Sequence, residues 1–366
     1  MKKLLALDQG EYLGGAELFF SELLTHADQD FDIHLITGKN RVYHERYKNS
    51  SITLHPMALP ALKPVGLKTF RKYRQAQKKI VELIDALKPD QIVSNTVRTH
   101  LLTSQLAQKK GIPLVWMAHD RTFPGLFLKW FKRYPQTIIS CSKFVQDYYR
   151  ERVGDRKELS DQVLYPFALE KDQLKSYPHV KKEKVIGMIG KFIPWKGQDL
   201  FLQMAQKVHH VYPNYRFQVI GSVYENNPES VSFYKECERL IEDLNLKSVV
   251  EIKLSINDVF AELARWEILV HCSHEPESLG RVILEGMASG CAVVATDLGG
   301  PKEIVNHEQT GLLVKPDVGP LVEGVKWYLE HPQKKEDIVR KAQEEVEKHY
   351  MWTKVIKGFK NILNHQ

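Results

Sequence analysis

The most informative part of the sequence is a strand–loop–helix pattern at residues 268–290, which read ILVHCSHEPESLGRVILEGMASG. The first four of these residues form an apolar run that predicts a buried strand, and the polar residues that follow predict a loop. A helix is predicted to begin near Gly280. Because the first N–H groups of a helix have no partner within the helix, those of Leu279, Gly280 and Arg281 are candidates to bind a phosphate group.

Two carboxylates belong to this pattern, Glu277 in the loop and Glu285 eight residues later on the helix. Both are able to face the same pocket. A carboxylate accepts hydrogen bonds from two neighbouring hydroxyl groups, which suits a sugar or a ribose ring. The residues alone are also compatible with two solvated or helix-capping side chains, so both interpretations stay open.

The rest of the chain alternates short apolar runs with helical patterns. Strands are predicted at residues 4–7, 31–37, 91–94, 113–118, 137–141, 185–189, 217–221, 249–254, 268–271 and 292–296. Helices are predicted at residues 15–27, 67–87, 97–109, 143–151, 197–211, 228–243, 280–289 and 319–349. This alternation predicts an α/β protein with two Rossmann-like domains, each built on a parallel sheet with helices on both faces.

A domain boundary is predicted at residues 168–184, which are polar, contain a proline and lack apolar periodicity. We expect a first domain at residues 1–170, a second at residues 171–349 and a C-terminal segment at residues 350–366. Two similar domains usually leave a cleft, and parallel sheets bind ligands beyond the carboxyl ends of their strands. The loops that follow the strands are therefore where chemistry is expected.

Four of these loops carry further candidate residues. Lys191 and Lys196 follow the first strand of the second domain, and two cations there are able to neutralise a diphosphate. Gly15 belongs to a glycine turn before the first helix, and His119 follows a buried strand. Ordinary surface lysines, a plain turn and a structural histidine are the alternative interpretations. The glycine turn at residues 297–301 also has two interpretations, contact with a ligand or a simple turn.

The composition narrows the class of protein. The chain has 366 residues, of which 43% are hydrophobic and 27% are charged, as expected for a two-domain globular protein rather than a disordered or coiled-coil one. No apolar run reaches the ~20 residues of a membrane span, and the chain start is too briefly apolar for a signal peptide. The four cysteines lack CxxC spacing, which disfavours a zinc knuckle and fits a reducing compartment.

The positive charge is concentrated in the first half of the chain. Residues 1–180 hold 28 Lys and Arg against 19 Asp and Glu, a net charge of +9, whereas residues 181–366 have a net charge of −2. Basic and aromatic residues are densest at residues 63–79 and 121–134, which predicts contact with an anionic membrane surface. A solvated helix face plus a core-packing helix is the alternative. Nucleic-acid binding has no motif behind it.

These segments together resemble the retaining glycosyltransferases of family 4, which have the GT-B fold, and the resemblance runs through most of the chain. Its most specific part is residues 277–285, which match the family's Glu-x7-Glu motif in its strand–loop–helix context. Other similar segments are Gly286–Thr296, Gly190-Lys191 with Lys196-Gly197, Gly14-Gly15-Ala16-Glu17, His119-Asp120 and Gly311–Val314. Residues 349–363 resemble the family's last helix, which crosses back onto the first domain.

The resemblance implies roles for particular residues at the donor's diphosphate and ribose. Lys196, together with Lys191, would hold the diphosphate, and Gly15 would approach it from the first domain. Glu285 would bind the ribose of the nucleotide. Lys191 stands where the family more often has arginine, which removes the bidentate contact that a guanidinium makes with phosphate.

The resemblance also implies roles at the transferred sugar. Glu277 would contact that sugar, and the backbone amides of Leu279 and Gly280 would help to bind phosphate and sugar. His119 would lie by the sugar near the reacting carbon. Ser278-Leu279 replaces the more common Pro-Phe of the family. Acceptor-binding residues are not assigned, because variable loops of the first domain set the acceptor.

The activity implied is transfer of a sugar, with retained configuration, from a nucleoside diphosphate sugar to a glycan or lipid-linked acceptor. A UDP-sugar is the favoured donor, no metal or other cofactor is expected, and the setting is cell-surface polysaccharide or glycolipid biosynthesis. We expect a cytoplasmic protein, peripheral on the inner face of the membrane. Two alternatives stay open: a non-hydrolysing sugar-nucleotide 2-epimerase of the same fold, and a membrane-associated binding protein without catalytic activity.

Overall fold

The computed structural model describes residues 1–10, 14–61, 67–121, 137–153, 160–170, 180–256 and 258–364. The chain divides into two compact units. The first consists of Met1–Pro166 with Thr353–Gln366, and the second is Phe167–Trp352. The change from one unit to the other lies just before the predicted boundary at residues 168–184, of which 171–179 lie outside the described residues.

The first unit contains a parallel sheet of seven strands in the order β3-β2-β1-β4-β5-β6-β7. These strands are β1 (Lys2–Leu7), β2 (Phe31–Thr37), β3 (Thr53–Pro56), β4 (Gln91–Ser94), β5 (Leu114–Ala118), β6 (Thr137–Ser140) and β7 (Ser160–Val163). Its helices are α1 (Gly15–Ala27), α2 (Arg41–Glu45), α3 (Leu67–Leu87), α4 (Val97–Lys110) and α5 (Lys143–Val153). Strands such as β5, buried at all five residues, are apolar because helices cover a parallel sheet on both faces.

The second unit contains a parallel sheet of six strands in the order β10-β9-β8-β11-β12-β13. These strands are β8 (Glu183–Ile189), β9 (Arg216–Ile220), β10 (Val250–Lys253), β11 (Trp266–His271), β12 (Ala292–Thr296) and β13 (Leu312–Val314). Its helices are α6 (Gln198–Val211), α7 (Pro228–Asp243), α8 (Val259–Arg265), α9 (Arg281–Ala288), α10 (Pro301–Ile304), α11 (Val318–Glu330) and α12 (Pro332–His349). The prediction of two Rossmann-like α/β domains is thus confirmed.

The single helix predicted at residues 319–349 is wrong, because the structure has two helices there. Helix α11 ends at Glu330 and α12 begins at Pro332. Proline is compatible with the first position of a helix but not with its interior. The preceding residue, His331, has φ −125° and ψ 64°, which lies outside the helical region and turns the chain between the two helices.

The last helix, α13 (Trp352–Asn364), returns to the first unit, as the resemblance implied. The ammonium of Lys2 donates a hydrogen bond to the carbonyl oxygen of Leu363 at 3.1 Å. Lys360 forms an ion pair with Asp30. The buried side chains Phe359 and Leu363 add apolar contact, so this helix is a structural part of the first unit.

No helix in the described part of the chain is long and apolar enough to cross a membrane. The four cysteines are buried and form no disulfide bond with one another.

Candidate functional site

The candidate site of the second unit forms where two loops meet at one edge of the sheet. Strands β8 and β11 are neighbours and run parallel, so both of their carboxyl ends lie at this edge. A single 3₁₀ turn, Pro194–Lys196, follows β8. The loop that contains Glu277 follows β11. The ammonium of Lys196 forms an ion pair with the carboxylate of Glu277, so the structure brings together two residues that lie 81 positions apart in the sequence.

The glycine after Lys196 allows the two loops to approach so closely. Gly197 has φ +76°, in the left-handed region that favours glycine, and a Cβ placed on it would lie 1.9 Å from the carbonyl oxygen of Cys272. Two further contacts tie the loops together. The backbone N–H of His274 donates to the carbonyl oxygen of Trp195 at 2.8 Å, and the His274 imidazole lies 2.9 Å from the Asp199 carboxylate.

Glu277 is surrounded by groups that stabilise its ionised form. Besides Lys196, its Oε2 lies 2.5 Å from Nε2 of His271 and 3.5 Å from the hydroxyl of Ser273. The Glu277 side chain is 17% exposed, so it is not a solvated surface carboxylate. Burial alone would raise the pKa of Glu277, but Lys196 and His271 outweigh it and hold that pKa well below its usual range. Glu277 is therefore an anion at every physiological pH.

The helix that follows this loop presents its N-terminus beside Glu277. Helix α9 begins at Arg281 with Gly280 as its N-cap, so the first backbone N–H groups of the helix have no carbonyl partner within it. The loop is held from behind by the turn after β12, where the N–H of Gly300 donates to the carbonyl oxygen of Glu277 at 2.8 Å. A Cβ on Gly300 would lie 2.4 Å from Cα of Leu279, so this turn needs glycine for packing.

Glu285 lies one turn into α9 and is 9% exposed. The Arg281 guanidinium donates from Nε to Oε1 of Glu285 at 2.9 Å, an i,i+4 pair on one face of the helix. Nη1 of Arg281 is buried and has no hydrogen-bond partner among the described residues. Glu285 is therefore neither solvated nor a helix cap, and a ligand would reach a carboxylate already oriented by Arg281.

Lys191, the other predicted phosphate ligand, lies at the same edge of the sheet but contacts a different loop. Its ammonium donates to the hydroxyl of Tyr224 and lies 4.5 Å from the centre of that ring. The Gln198 side chain holds the backbone of the turn by donating to the carbonyl oxygens of Gly190, at 3.0 Å, and of Lys191, at 2.9 Å. The structure thus pairs Lys196, and not Lys191, with Glu277 within the described residues.

His119 lies in the first unit, in a pocket of about 290 Å³ at the carboxyl ends of β4 and β5. The lining includes Gln9, Glu17, Asn95 and Asp120. The His119 Nε2 lies 2.7 Å from the side-chain oxygen of Asn95, which requires a proton on Nε2. Burial lowers the pKa of His119 to about 4, against a smaller opposing effect of Asp120. The imidazole is therefore neutral at pH 7.

Gly15 is the first residue of α1 and borders the same pocket through its neighbours Ala16 and Glu17. The Glu17 carboxylate accepts from the backbone N–H of Gly14 at 3.1 Å and from the side-chain amide of Gln9 at 3.0 Å. A Cβ built on Gly15 would meet no described atom within 4 Å, so this part of the turn leaves space.

Comparisons with known proteins show the family to which the chain belongs. The model described as Glycosyltransferase Family 4 matches residues 13–160, and the one described as Glycosyl transferases group 1 matches residues 170–345. The chain belongs to the family 4 glycosyltransferases. The second match contains the whole Glu-x7-Glu segment at residues 277–285.

Several relatives resemble this glycosyltransferase over much of its length. A trehalose synthase of Pyrococcus horikoshii is 24% identical over 273 residues, which are 70% of this chain and 65% of that enzyme. An uncharacterized glycosyltransferase of Methanocaldococcus jannaschii is 25% identical over 99% of this chain and 97% of its own. HepE of Anabaena, solved in complex with UDP-glucose, superimposes with a TM-score of 0.81 at 22% identity, with all of both chains covered. The last likeness confirms the GT-B fold.

The sequence did not single out two polar groups that the structure places at these sites. His271 ends β11 and contacts Glu277. In the first unit, Asp8 follows β1 and accepts from the hydroxyl of Tyr43. Burial raises the pKa of Asp8 to about 6, although hydrogen bonds from Tyr43 and Asn95 oppose the rise. The signal that could have found both is a polar residue at the carboxyl end of a buried strand.

No group of three or more His, Cys, Asp or Glu side chains in the described residues is arranged to hold a metal ion. Independence from metal stays a prediction for the glycosyltransferase.

Proposed function

We propose that this glycosyltransferase moves a sugar, with retained configuration, from a nucleoside diphosphate sugar to a hydroxyl group of a glycan or lipid-linked acceptor. A UDP-sugar is the favoured donor, since HepE of Anabaena was solved with UDP-glucose. The observation that carries the proposal is the Lys196–Glu277 pair beside the N-terminus of α9. It offers a cation, an oriented carboxylate and backbone donors at one edge of the sheet.

The cationic side of this cluster suits the diphosphate. Departure of a nucleoside diphosphate develops negative charge on a phosphate oxygen, and oriented positive groups lower the energy of that transition state. Lys196 supplies a charge-assisted hydrogen bond and α9 supplies backbone N–H groups. Lys191 would add a second cation if its ammonium left Tyr224.

The two carboxylates suit hydroxyl groups on either side of the diphosphate. We assign Glu277 to the transferred sugar, because its ionised carboxylate accepts hydrogen bonds from vicinal hydroxyls. We assign Glu285 to the ribose, with Oε1 engaged by Arg281 and Oε2 as the atom that accepts from the diol. In this proposal the departing phosphate oxygen takes the proton of the acceptor hydroxyl, so no separate general base is required.

The acceptor is assigned to the first unit. Its pocket of about 290 Å³ contains the carboxylate of Glu17, the amide of Asn95 and the neutral imidazole of His119, which are groups that bind sugar hydroxyls. The predicted roles of His119 and Gly15 towards the donor stay predictions.

The direct test is incubation of the purified protein with UDP-, GDP- and ADP-sugars, with and without oligosaccharide acceptors. A transferase releases nucleotide quickly only with an acceptor and forms a new glycosidic bond. A 2-epimerase instead converts the donor without any acceptor. A protein that neither binds nor consumes any sugar nucleotide would contradict the proposal.

The anomeric configuration of the product is expected to match that of the donor, and EDTA is expected to leave the rate largely unchanged. The reason is that Lys196 and α9 supply the positive charge that a metal would otherwise supply. Proton NMR of the product determines the configuration. An inverted linkage, or activity that EDTA abolishes and Mg²⁺ restores, would place the enzyme in a different mechanistic class.

We further propose that the first unit binds the anionic inner face of a membrane through the N-terminal half of α3. Leu67 is 85% exposed and Phe70 is 57% exposed on this helix, beside the basic residues Lys68, Arg71 and Lys72. Exposed apolar side chains among cations favour an anionic interface. Residues 63–66 of the predicted segment 63–79 and all but the first residue of the predicted segment 121–134 lie outside the described residues.

Changing Lys68 and Lys72 together to glutamate is expected to weaken binding to anionic vesicles about 30-fold or more, since each lysine near such a surface contributes about 1 kcal/mol. Sedimentation with phosphatidylglycerol and phosphatidylcholine vesicles is the measurement. The matched control changes Lys207 and Lys235, which are exposed in the second unit, to glutamate. Equal binding of the wild type to both vesicles, or equal losses in both variants, would contradict a specific role of α3.

A further inference from the structure

His271 is a buried polar side chain that the family-based assignment leaves without a role. It is the last residue of β11 and is 5% exposed. Its Nε2 lies 2.5 Å from Oε2 of Glu277 and 3.3 Å from the hydroxyl of Ser273. Because an ionised carboxylate only accepts hydrogen bonds, Nε2 carries a hydrogen and donates a hydrogen bond to Glu277.

The second ring nitrogen of His271 lowers the stability of the folded protein. Nδ1 is buried and has no hydrogen-bond partner among the described residues. A buried polar atom without a partner destabilises the folded state, and an apolar residue would continue the buried run of Leu269 and Val270 without that cost. A costly polar group held against a carboxylate indicates a role in positioning.

Donor binding creates the need for such a group. In the present structure Lys196 is the cationic partner of Glu277. The proposed function requires the same ammonium to contact the diphosphate, so binding would draw part of its charge away from Glu277. A largely buried carboxylate that loses its cation takes up a proton or changes orientation. A second donor, fixed on a strand, prevents both.

We propose that His271 is a positioning residue, whose Nε2–H keeps Glu277 charged and oriented towards the transferred sugar while Lys196 contacts the diphosphate. This inference rests on the proposed function. The titratable groups that face Glu277 are Lys196 from the 3₁₀ turn and His271 from β11. Both lower the pKa of Glu277, so loss of His271 is expected to raise it, and activity would then be lost at a higher pH on the acid side.

The test compares two substitutions of different hydrogen-bonding capacity. His271→Phe keeps a ring but removes the donor, whereas His271→Gln keeps an N–H near the position of Nε2. We expect His271→Phe to lower kcat for UDP-glucose turnover by about 10- to 100-fold, as for other groups that orient a functional ligand. UDP affinity is expected to change less than threefold, and the acidic limb of the kcat profile to move to higher pH. His271→Gln should recover most of kcat and the wild-type limb.

The results separate this inference from the proposed function. An active wild type with an unchanged kcat and acidic limb in His271→Phe would overturn the positioning role. Equal losses in both variants, together with lower melting temperatures, would show a structural role only and overturn it too.

A second measurement does not depend on turnover. The imidazole ¹⁵N spectrum, assigned by the signals missing in His271→Phe, should show a protonated Nε2 that shifts in Glu277→Gln. If no UDP-sugar is turned over, the proposed donor class is wrong while this spectrum still decides the His271–Glu277 contact. An Nε2 signal that Glu277→Gln leaves unchanged would overturn the inference.

Discussion

Replacing Lys196 by alanine is expected to lower kcat/KM for the sugar nucleotide by about 10- to 100-fold. A charge-assisted hydrogen bond to a largely desolvated phosphate contributes roughly 1.5–3 kcal/mol, and each 1.36 kcal/mol is a factor of ten in rate. The Lys196 side chain is 16% exposed, so solvent screens it less than a surface lysine. Steady-state kinetics with the donor identified in the sugar-nucleotide screen is the measurement.

The control for this variant is Lys235→Ala, which removes an exposed lysine of α7 in the same unit. Because Lys196→Ala also leaves the Glu277 carboxylate without its cation, thermal melting must accompany the kinetics. A Lys196→Ala protein that stays folded and transfers sugar at the wild-type rate would show that the diphosphate binds elsewhere. Lys191→Ala is expected to act in the same direction as Lys196→Ala.

The two glutamates are expected to separate into a turnover residue and a binding residue. Glu277→Gln should lower kcat by about 100-fold, the order found when one preorganised electrostatic group is removed. Its affinity for free UDP should stay close to that of the wild type, because the sugar is absent from UDP. Glu285→Gln should instead weaken UDP binding, since its proposed partner is the ribose.

Calorimetric titration with UDP distinguishes the two variants, and kinetics at saturating donor completes the comparison. Arg281→Lys is a useful third protein, because it keeps a charge beside Glu285 but loses the fixed guanidinium geometry. Equal losses of UDP affinity in Glu277→Gln and Glu285→Gln would contradict the assignment of one glutamate to the sugar and the other to the ribose.

The sequence predicted the fold well where apolar periodicity is strong. Helices α1, α3 and α7 begin and end at the predicted residues, and the central strands lie within two residues of their predicted ends. The edge strands β3, β7 and β13 were missed, whereas the edge strand β10 was predicted at residues 249–254. Strands β3 and β7 pair on one side only and are half-exposed and polar, so they lack the apolar run that identifies a buried strand.

The helix break at residue 331 shows another limit of pattern reading. The apolar periodicity continues on both sides of Pro332, which favoured one long helix in the prediction. Pro332 starts a second helix instead, because proline lacks a backbone N–H and its ring clashes with the preceding turn in a helix interior. The proline was visible in the sequence and indicated a new helix start, but the prediction followed the apolar periodicity.

At the site, the charged candidate residues could be predicted from the sequence, but the contacts between them could not. The Glu-x7-Glu spacing singled out Glu277 and Glu285 as candidates. The pairing of Glu277 with Lys196 depends on the sheet order, which makes β8 and β11 neighbours, and on the left-handed turn at Gly197. The contact with His271 depends on the direction of a side chain at the end of a strand. Such tertiary information is absent from local sequence patterns.

A crystal structure of this glycosyltransferase with UDP-glucose bound would test the assignment of the donor site most directly. A diphosphate oxygen is expected within hydrogen-bond distance of Nζ of Lys196 and of the first amides of α9. Sugar hydroxyls are expected on the Glu277 carboxylate and the ribose diol on Glu285. A donor bound with its diphosphate away from Lys196, or with neither glutamate in contact with a hydroxyl, would contradict the assignment of this site.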